Sequence, residues 1–201
     1  MVKVICFDLG KVIIDFDYAL AIRELMKLTS LSLAEVTAVL SNSDLINEYE
    51  TGKISTLEFY QLVSHQLQLE VPLKTFKQLW GNMFLTQPLL SEHFVQSLKK
   101  NYRLILLSNT NEMHFEFVEE RYPILGYLEE RVLSYQVGCM KPDQRIYHAV
   151  VSKVDVAPEE IFFTDDRQEN IDAARSIGIQ ACQFQSEDQL KRDLRRVGVL
   201  T

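Results

Sequence analysis

Short, unbroken apolar runs punctuate this chain: Val4-Ile5-Cys6-Phe7, Leu104-Ile105-Leu106-Leu107 and Ile161-Phe162-Phe163, each ending on polar residues. Runs without alternation read as strands buried on both faces, the condition of strands in a parallel sheet. Between 17 and about 85 the texture is helical instead. Ala21, Leu25 and Leu28 recur at i, i+4 and i+7, and Phe59, Leu62, Val63 and Leu67 repeat one face, with no strand pattern interrupting. Ser32, Asp44 and Ser55-Thr56 ahead of Glu58 read as helix starts, Thr51-Gly52 as a break, and Pro72 and Pro88 as punctuation at the far end. Four or five short helices are expected there. From 91 onward helix and strand alternate: helix to 100, strand 103–107, helix 112–120, strand near Val132, helix 143–152, strand 161–163, helix 168–177, strand 180–182 and a final helix. Such alternation specifies βαβ crossovers, and so an α/β fold with a doubly wound parallel sheet. The expected division is a core of residues 1–16 and 88–201, with an α-helical insert at 17–87 covering the strand-end rim.

Composition narrows the class. At 201 residues and 47% apolar content the chain can bury a sizeable core. A formal net charge of -7 argues against a nucleic-acid surface, which needs a basic stripe to neutralise phosphates. No apolar run approaches the roughly 20 residues that span a bilayer, and the N-terminus enters the first strand without a signal-peptide pattern. A cytoplasmic protein is expected. Cys6, Cys139 and Cys182 are odd in number and two lie in or beside apolar strands, which suits buried free thiols.

The chemistry concentrates where strands end. Asp165-Asp166 closes one apolar run and Asp8 another, so three acids point to the carboxyl rim of one sheet, where ligands of open α/β sheets collect. Crowded carboxylates raise one another's pKa unless a hard divalent cation such as Mg²⁺ neutralises them. Between these acids come Ser108-Asn109-Thr110-Asn111 at another strand end and the cation of Lys141-Pro142. Taken singly, each has a plain structural account: an Asp at a strand end caps or turns about as often as not, Ser108-Asn109-Thr110 is a helix cap, and Lys141 a surface lysine. The conjunction changes that assessment.

This order of an Asp after the first strand, a Ser, a Lys and an acidic pair resembles the haloacid dehalogenase (HAD) superfamily over nearly the whole chain. Within it the chain is most similar to the bacterial α-D-glucose-1-phosphate phosphatase type, through Phe7-Asp8-Leu9-Gly10, Val12-Ile13-Ile14-Asp15-Phe16-Asp17, Leu107-Ser108-Asn109-Thr110-Asn111, Lys141-Pro142 with Arg145-Ile146-Tyr147, and Asp165-Asp166 with Glu169-Asn170-Ile171. The resemblance implies a HAD-like Rossmannoid core with a helical cap between the first two motifs. It also implies a Mg²⁺-dependent phosphatase for a small phosphorylated metabolite, a sugar 1-phosphate being favoured. Asp8 would be the nucleophile, since an aspartate carboxylate can attack phosphorus and form an aspartyl phosphate. The implied metal ligands are Asp8, the Gly10 carbonyl and Asp166, with Asp165 assisting directly or through water. Ser108, Asn109 and Lys141 would bind the phosphate.

One departure stands out. Most phosphatases of the superfamily carry a second Asp two residues after the nucleophile, as general acid for the leaving group, and here that position is Gly10. Such a group is ordinarily worth roughly 10²- to 10⁴-fold in rate. An anomeric hydroxyl, more acidic than a simple alcohol, needs less help in leaving. Asp15, Asp17 or a cap residue are the alternative donors, although the first two suit turn and capping roles. Lys11 reads as an exposed loop lysine. None of the four histidines is assigned a catalytic role. Trp80 and Phe84 could stack on a sugar but suit a core, and the 48–55 turn is a candidate substrate-facing loop. Two other readings stay open: a 2-haloacid dehalogenase, which needs no metal, and a catalytically weak ligand-binding or regulatory protein.

Overall fold

The apolar runs pair into a single parallel sheet, with the helical stretch set apart at one end. The computed structural model describes residues 1–200. In chain order, β1 (Val4–Phe7) and β2 (Ile14–Phe16) precede helices α1 (Tyr18–Leu25), α2 (Leu33–Leu40), α3 (Ser43–Glu50), α4 (Thr56–Gln66) and α5 (Leu73–Gly81). Then come β3 (Phe84–Pro88), α6 (Glu92–Lys99), β4 (Arg103–Ser108), α7 (Glu112–Arg121), β5 (Glu130–Leu133) and the short α8 (Ser134–Val137). The chain closes with α9 (Gln144–Val154), β6 (Ile161–Asp165), α10 (Gln168–Ser176), β7 (Gln180–Gln183) and α11 (Glu187–Arg196).

The sheet runs β5-β4-β1-β6-β7, all parallel, with β1 at the centre. Register fixes what meets at the rim. Phe7 pairs with Leu106 on one side and Thr164 on the other, so the residues that follow, Asp8, Leu107 and Asp165, leave the sheet side by side. Successive side chains alternate across the sheet and both faces are buried. Ile5, Phe7, Leu104, Leu106 and Phe162 enter one apolar cluster with Phe94, Val118 and Leu194, from α6, α7 and α11. Val4, Cys6, Ile105, Leu107 and Phe163 enter the other with Ile146, Val150 and Ile171, from α9 and α10. Cys6 and Cys139 are buried free thiols and Cys182 is half-buried.

Two short strands that the sequence pattern did not announce flank the helical insert, the second, β3, falling on its expected far end. β2 and β3 form an antiparallel ribbon, Ile14 opposite Pro88 and Phe16 opposite Phe84, and Asp17 N–H donates to the Met83 carbonyl at 2.8 Å. Strands this short have no readable period, and their pairing partner lies some seventy residues away. Within the cap, Ser32 with Glu35 and Ser55 with Glu58 form reciprocal capping boxes at α2 and α4. α3 is capped by Asn42 rather than started by Asp44, which falls in its first turn. The cap has its own apolar centre, where Phe59 stacks on Tyr49 and meets Trp80 edge-on, and Phe76 stacks on Trp80.

The cap is fastened to the core by directional bonds. Met113 N–H donates to the Tyr49 hydroxyl at 3.2 Å, Tyr49 lies 2.8 Å from the Thr56 hydroxyl, and Thr56 donates to the Glu112 carboxylate. Beside them Gly52, at φ +67°, passes so close to α8 that a Cβ would stand 2.2 Å from the Tyr135 carbonyl oxygen. A side chain there is excluded by sterics as well as by backbone conformation, which alone costs about 1–3 kcal/mol. Gly52→Ala should therefore lower unfolding free energy by at least that amount and loosen the cap. Urea denaturation and hydrogen exchange at the α7 N-terminus are the measurements; an unaltered exchange rate at Met113 would show that this contact does not hold the cap down.

Candidate active site

Asp8 leaves β1 with its backbone N–H donating to the Thr164 carbonyl of β6 at 3.0 Å, which fixes the carboxylate at the rim. Lys141 arrives from the loop between α8 and α9 and is 4% exposed. Its ammonium lies 2.7 Å from Asp8 Oδ1 and 2.6 Å from Asp165 Oδ2, and it donates to the Leu107 carbonyl at 3.2 Å. Three acceptors thus meet an ammonium's three donors. Burial alone would lower the Lys141 pKa, but the Asp8 and Asp165 charges outweigh it and hold it raised. This lysine stays charged. Burial pushes the Asp8 carboxyl up against the pull of Lys141, and the Asp165 charge adds to the rise.

Asp165, fully buried, is the best anchored of the acids. Its Oδ1 accepts from the Arg167 N–H and the Asn170 Nδ2, each at 2.9 Å, while its Oδ2 takes Lys141. Asn170 is a positioning residue that sequence reading passed over, although a polar side chain on the buried face that carries Ile171 and Ala174 was a usable signal. Asp166 is half-buried, and no lysine or arginine pairs with its carboxylate among the described residues. Burial, then the Asp165 charge, raises its pKa.

These placements allow a test of the donor set for a cation. Oxygens of Asp8, Asp165 and Asp166 all lie within 4.8 Å of one another. Lys141 takes one Asp8 oxygen, which leaves the second; Asp166 is unpaired; and the Gly10 carbonyl accepts no hydrogen bond among the described residues. An all-oxygen set with a net surplus of negative charge fits Mg²⁺. Asp165, already accepting three bonds, is placed to orient its neighbours as much as to ligate.

On the phosphate side, Ser108 and Asn109 sit at the end of β4, next to Asp8. Ser108 is 2% exposed and its hydroxyl makes only a long 3.3 Å contact with the Asn109 carbonyl, so it can turn to a better acceptor. The Asn109 side chain is otherwise engaged: its Nδ2 donates to the Lys141 carbonyl at 2.9 Å and its Oδ1 accepts from the Lys141 N–H at 2.8 Å. Any Asn109 contact with phosphate therefore comes from its backbone. This amide clamp also sets where Lys141 stands.

Two of the alternative proton donors, Asp15 and Asp17, turn out to be structural. Asp17 caps α1, accepting from Ala19 N–H at 2.9 Å. Asp15 accepts from the Phe16 N–H at 2.8 Å and pairs with Lys11, whose ammonium folds back over the Phe16 ring, 4.7 Å from its centroid. Lys11 is thus tied down rather than free, and faces away from a phosphate role. Gly10 itself has little space beside it, since a Cβ would stand 2.7 Å from Phe16 Cε1. Above this loop, cap residues and the α7 N-terminus enclose a cavity of about 450 Å³, lined by Tyr18, Glu50, Trp80, Asn111 and His114 among others. Burial pushes the Glu50 carboxyl up to about 7, a hydrogen bond from Asn111 pulling the other way. His114 is neutral: burial lowers it to about 4, while its Nε2 donates to the Trp80 carbonyl at 3.2 Å and its Nδ1 accepts from Asn111 Nδ2 at 3.0 Å. Of the 48–55 turn only Glu50 reaches the cavity, and Trp80 both lines it and packs the cap core.

A family model, haloacid dehalogenase-like hydrolase, matches residues 2–178, and the chain belongs to that family. A D-ribitol-5-phosphate phosphatase of Bacteroides thetaiotaomicron is 30% identical over 203 residues, covering 96% of this chain and 97% of that protein. A sesquiterpene phosphatase of Aspergillus oryzae is 25% identical over 181 residues, 88% of this chain and 87% of its own length. Among solved structures, a HAD-family enzyme of Bacteroides thetaiotaomicron in complex with magnesium and inorganic phosphate superposes with a TM-score of 0.83 at 25% identity, over 93% of this chain and 96% of that one.

Two outcomes follow from the buried charges. Removing one partner of a buried pair leaves the other uncompensated, at about 3–5 kcal/mol. Lys141→Met should cost that much near neutral pH, and the loss should shrink as acid protonates Asp8, whose pKa is raised; equal destabilisation at pH 4 and pH 8 in urea melts would contradict this. For the cation, Asp166→Ala should weaken Mg²⁺ binding by at least the roughly 10- to 100-fold typical of disturbing a metal's surroundings. Affinity should also fall as pH falls, because the raised Asp8 carboxyl must be ionised to ligate. Calorimetry across pH reads both effects.

Proposed function

We propose that this chain is a Mg²⁺-dependent phosphatase that hydrolyses a small phosphorylated metabolite, a sugar 1-phosphate being favoured, with Asp8 as nucleophile. The observation carrying the reading is the Asp8 carboxylate itself: anchored by Lys141 through one oxygen, it keeps the other free at a rim shared with Asp166 and Ser108. Phosphatase relatives of full length support phosphoric monoesters as the substrate class. Bound there, Mg²⁺ would neutralise the acids and draw off charge from the transferring phosphoryl group.

The chain's own residues supply the rest. Lys141 holds Asp8 in line while remaining a fixed positive charge beside the phosphoryl oxygens. Ser108 Oγ and the backbone at Asn109 donate to those oxygens. Asp8 Oδ2 attacks phosphorus, the ester oxygen leaves, and water then cleaves the aspartyl phosphate, returning Asp8 and releasing inorganic phosphate. A metal-free dehalogenase would leave the unpaired Asp166 without a task.

Nothing at position 10 can protonate the leaving oxygen, and the Phe16 ring fills the space where an acid would sit. Esters of acidic alcohols, aryl and anomeric phosphates, should therefore outrun alkyl phosphates. That same ring is the observation favouring a slow or ligand-binding protein as the second reading, and the two separate in one experiment. With Mg²⁺ present, log kcat/KM should fall steeply with leaving-group pKa, and Asp8→Asn should abolish turnover while leaving the fold intact. Gly10→Asp alone should not flatten the slope, because the ring stands in the way; in a Phe16→Ala background it should, by up to the roughly 10²- to 10⁴-fold of a general acid. Turnover undiminished in Asp8→Asn would remove Asp8 from the reaction. A flat slope in the natural protein would show that another donor acts, and no turnover on any ester would favour the ligand-binding reading.

A further inference from the structure

The cavity of about 450 Å³ under the cap has one acid, and no cation, in the wall formed by its described residues. Among the described residues that line it there is no lysine or arginine, and the only acid is Glu50, at the C-terminal end of α3. The rest is mostly apolar, with Ile22, Leu25, Trp80 and Met83 prominent. Polar relief comes from Asn111, which hydrogen-bonds Glu50, and from the hydroxyls of Tyr18, Thr37 and Ser41. His114, held neutral by burial and by its two hydrogen bonds, brings no compensating charge.

The cavity adjoins the reacting centre through two chain segments. Phe16, whose ring stands against Gly10, meets the Tyr18 ring at 5.1 Å between centroids, and Tyr18 lines the cavity. Asn111 ends the segment that begins with Ser108 and lines it as well. The loop after Asp8 and the loop after β4 both run into this wall, which places the cavity beside the Asp8 site.

We propose that this cavity receives the leaving group, and that Glu50 makes the enzyme selective for uncharged leaving groups, rejecting esters that carry a second anion. The inference rests on the phosphatase reading of the Asp8 site and deepens it. A carboxylate or second phosphate entering this wall would be desolvated with no cation to meet it, and would face Glu50 besides. A neutral polyhydroxy ring meets neither difficulty: its C–H faces lie on Trp80 and Met83 while its hydroxyls reach Glu50 and Asn111. Nucleotides, sugar bisphosphates and phosphorylated acids are excluded on this account, and neutral sugar or aryl phosphates accepted.

The test uses matched esters that differ in a distal charge, α-D-glucose 1-phosphate against α-D-glucuronic acid 1-phosphate and phenyl phosphate against 4-carboxyphenyl phosphate, all with Mg²⁺ and well on the alkaline side of neutrality, where Glu50 is ionised. The natural protein should prefer the neutral member of each pair by on the order of 100-fold in kcat/KM, carried by KM, as expected of like-charge juxtaposition. Glu50→Gln, which keeps the shape and the Asn111 hydrogen bond, should narrow that ratio about tenfold or more. Ser41→Lys, at an exposed point of the same wall, adds the missing cation and should narrow it too, which keeps the question answerable if the Glu50 variant misfolds. Equal kcat/KM within each pair would overturn the inference while leaving the phosphatase reading intact. A ratio unmoved in both variants would overturn the role of Glu50. No hydrolysis of any of the four esters would remove the phosphatase reading and this inference with it.

Discussion

A single buried ammonium organises the site. Lys141 lies between Asp8 and Asp165 at 2.7 and 2.6 Å, and without it two carboxylates at adjacent strand ends would face each other in a medium of low dielectric. The arrangement depends on the sheet, because β1 and β6 must be neighbours in the observed register for one cation to reach both acids. It depends equally on the loop before α9, whose position the Asn109 amide clamps by bonding both the N–H and the carbonyl of Lys141. Fold, electrostatics and the placement of Asp8 converge on this one contact.

The charge balance of the triad leaves work for a cation. One ammonium offsets Asp8 and Asp165 only in part, and Asp166 stands unpaired beside them, its pKa raised by burial and by Asp165. Compact apolar packing on both sheet faces keeps water from screening these groups from below.

The cap trades freedom for definition. The bonds from Tyr49 and Thr56 to the start of α7 and the close passage of Gly52 against Tyr135 hold it to the core at a few points, while its own aromatic centre keeps it internally rigid. Those same elements form the cavity wall. Trp80 packs the cap core on one side and faces the cavity with the other, so what stabilises the cap also shapes what it accepts.

How far the sequence reached depends on the range of the interactions involved. Unbroken apolar runs and helical periodicity are local signals, and β1, the nine elements from α6 to α11 other than the short α8, and the starts of α2 and α4 were legible from them. Asp8, Lys141 and the Asp165-Asp166 pair were legible because their order along the chain is itself distinctive. The β2–β3 ribbon was not, since each strand is too short for a period and is stabilised only by its distant partner. Nor could the roles of the Asn109 side chain or the Phe16 ring be read, because the first is defined by atoms far away in sequence and the second by the space it fills. Glu50 is the clearest case. Periodicity and strand ends are properties of contiguous residues, so the sheet, the helical insert and the acids and cation that the strands deliver to one rim are written into the chain itself. That one glutamate at the end of a cap helix is the sole acid in a wall whose described residues include no cation follows from packing alone, because burial and the lack of a counter-charge exist only once distant segments have come together.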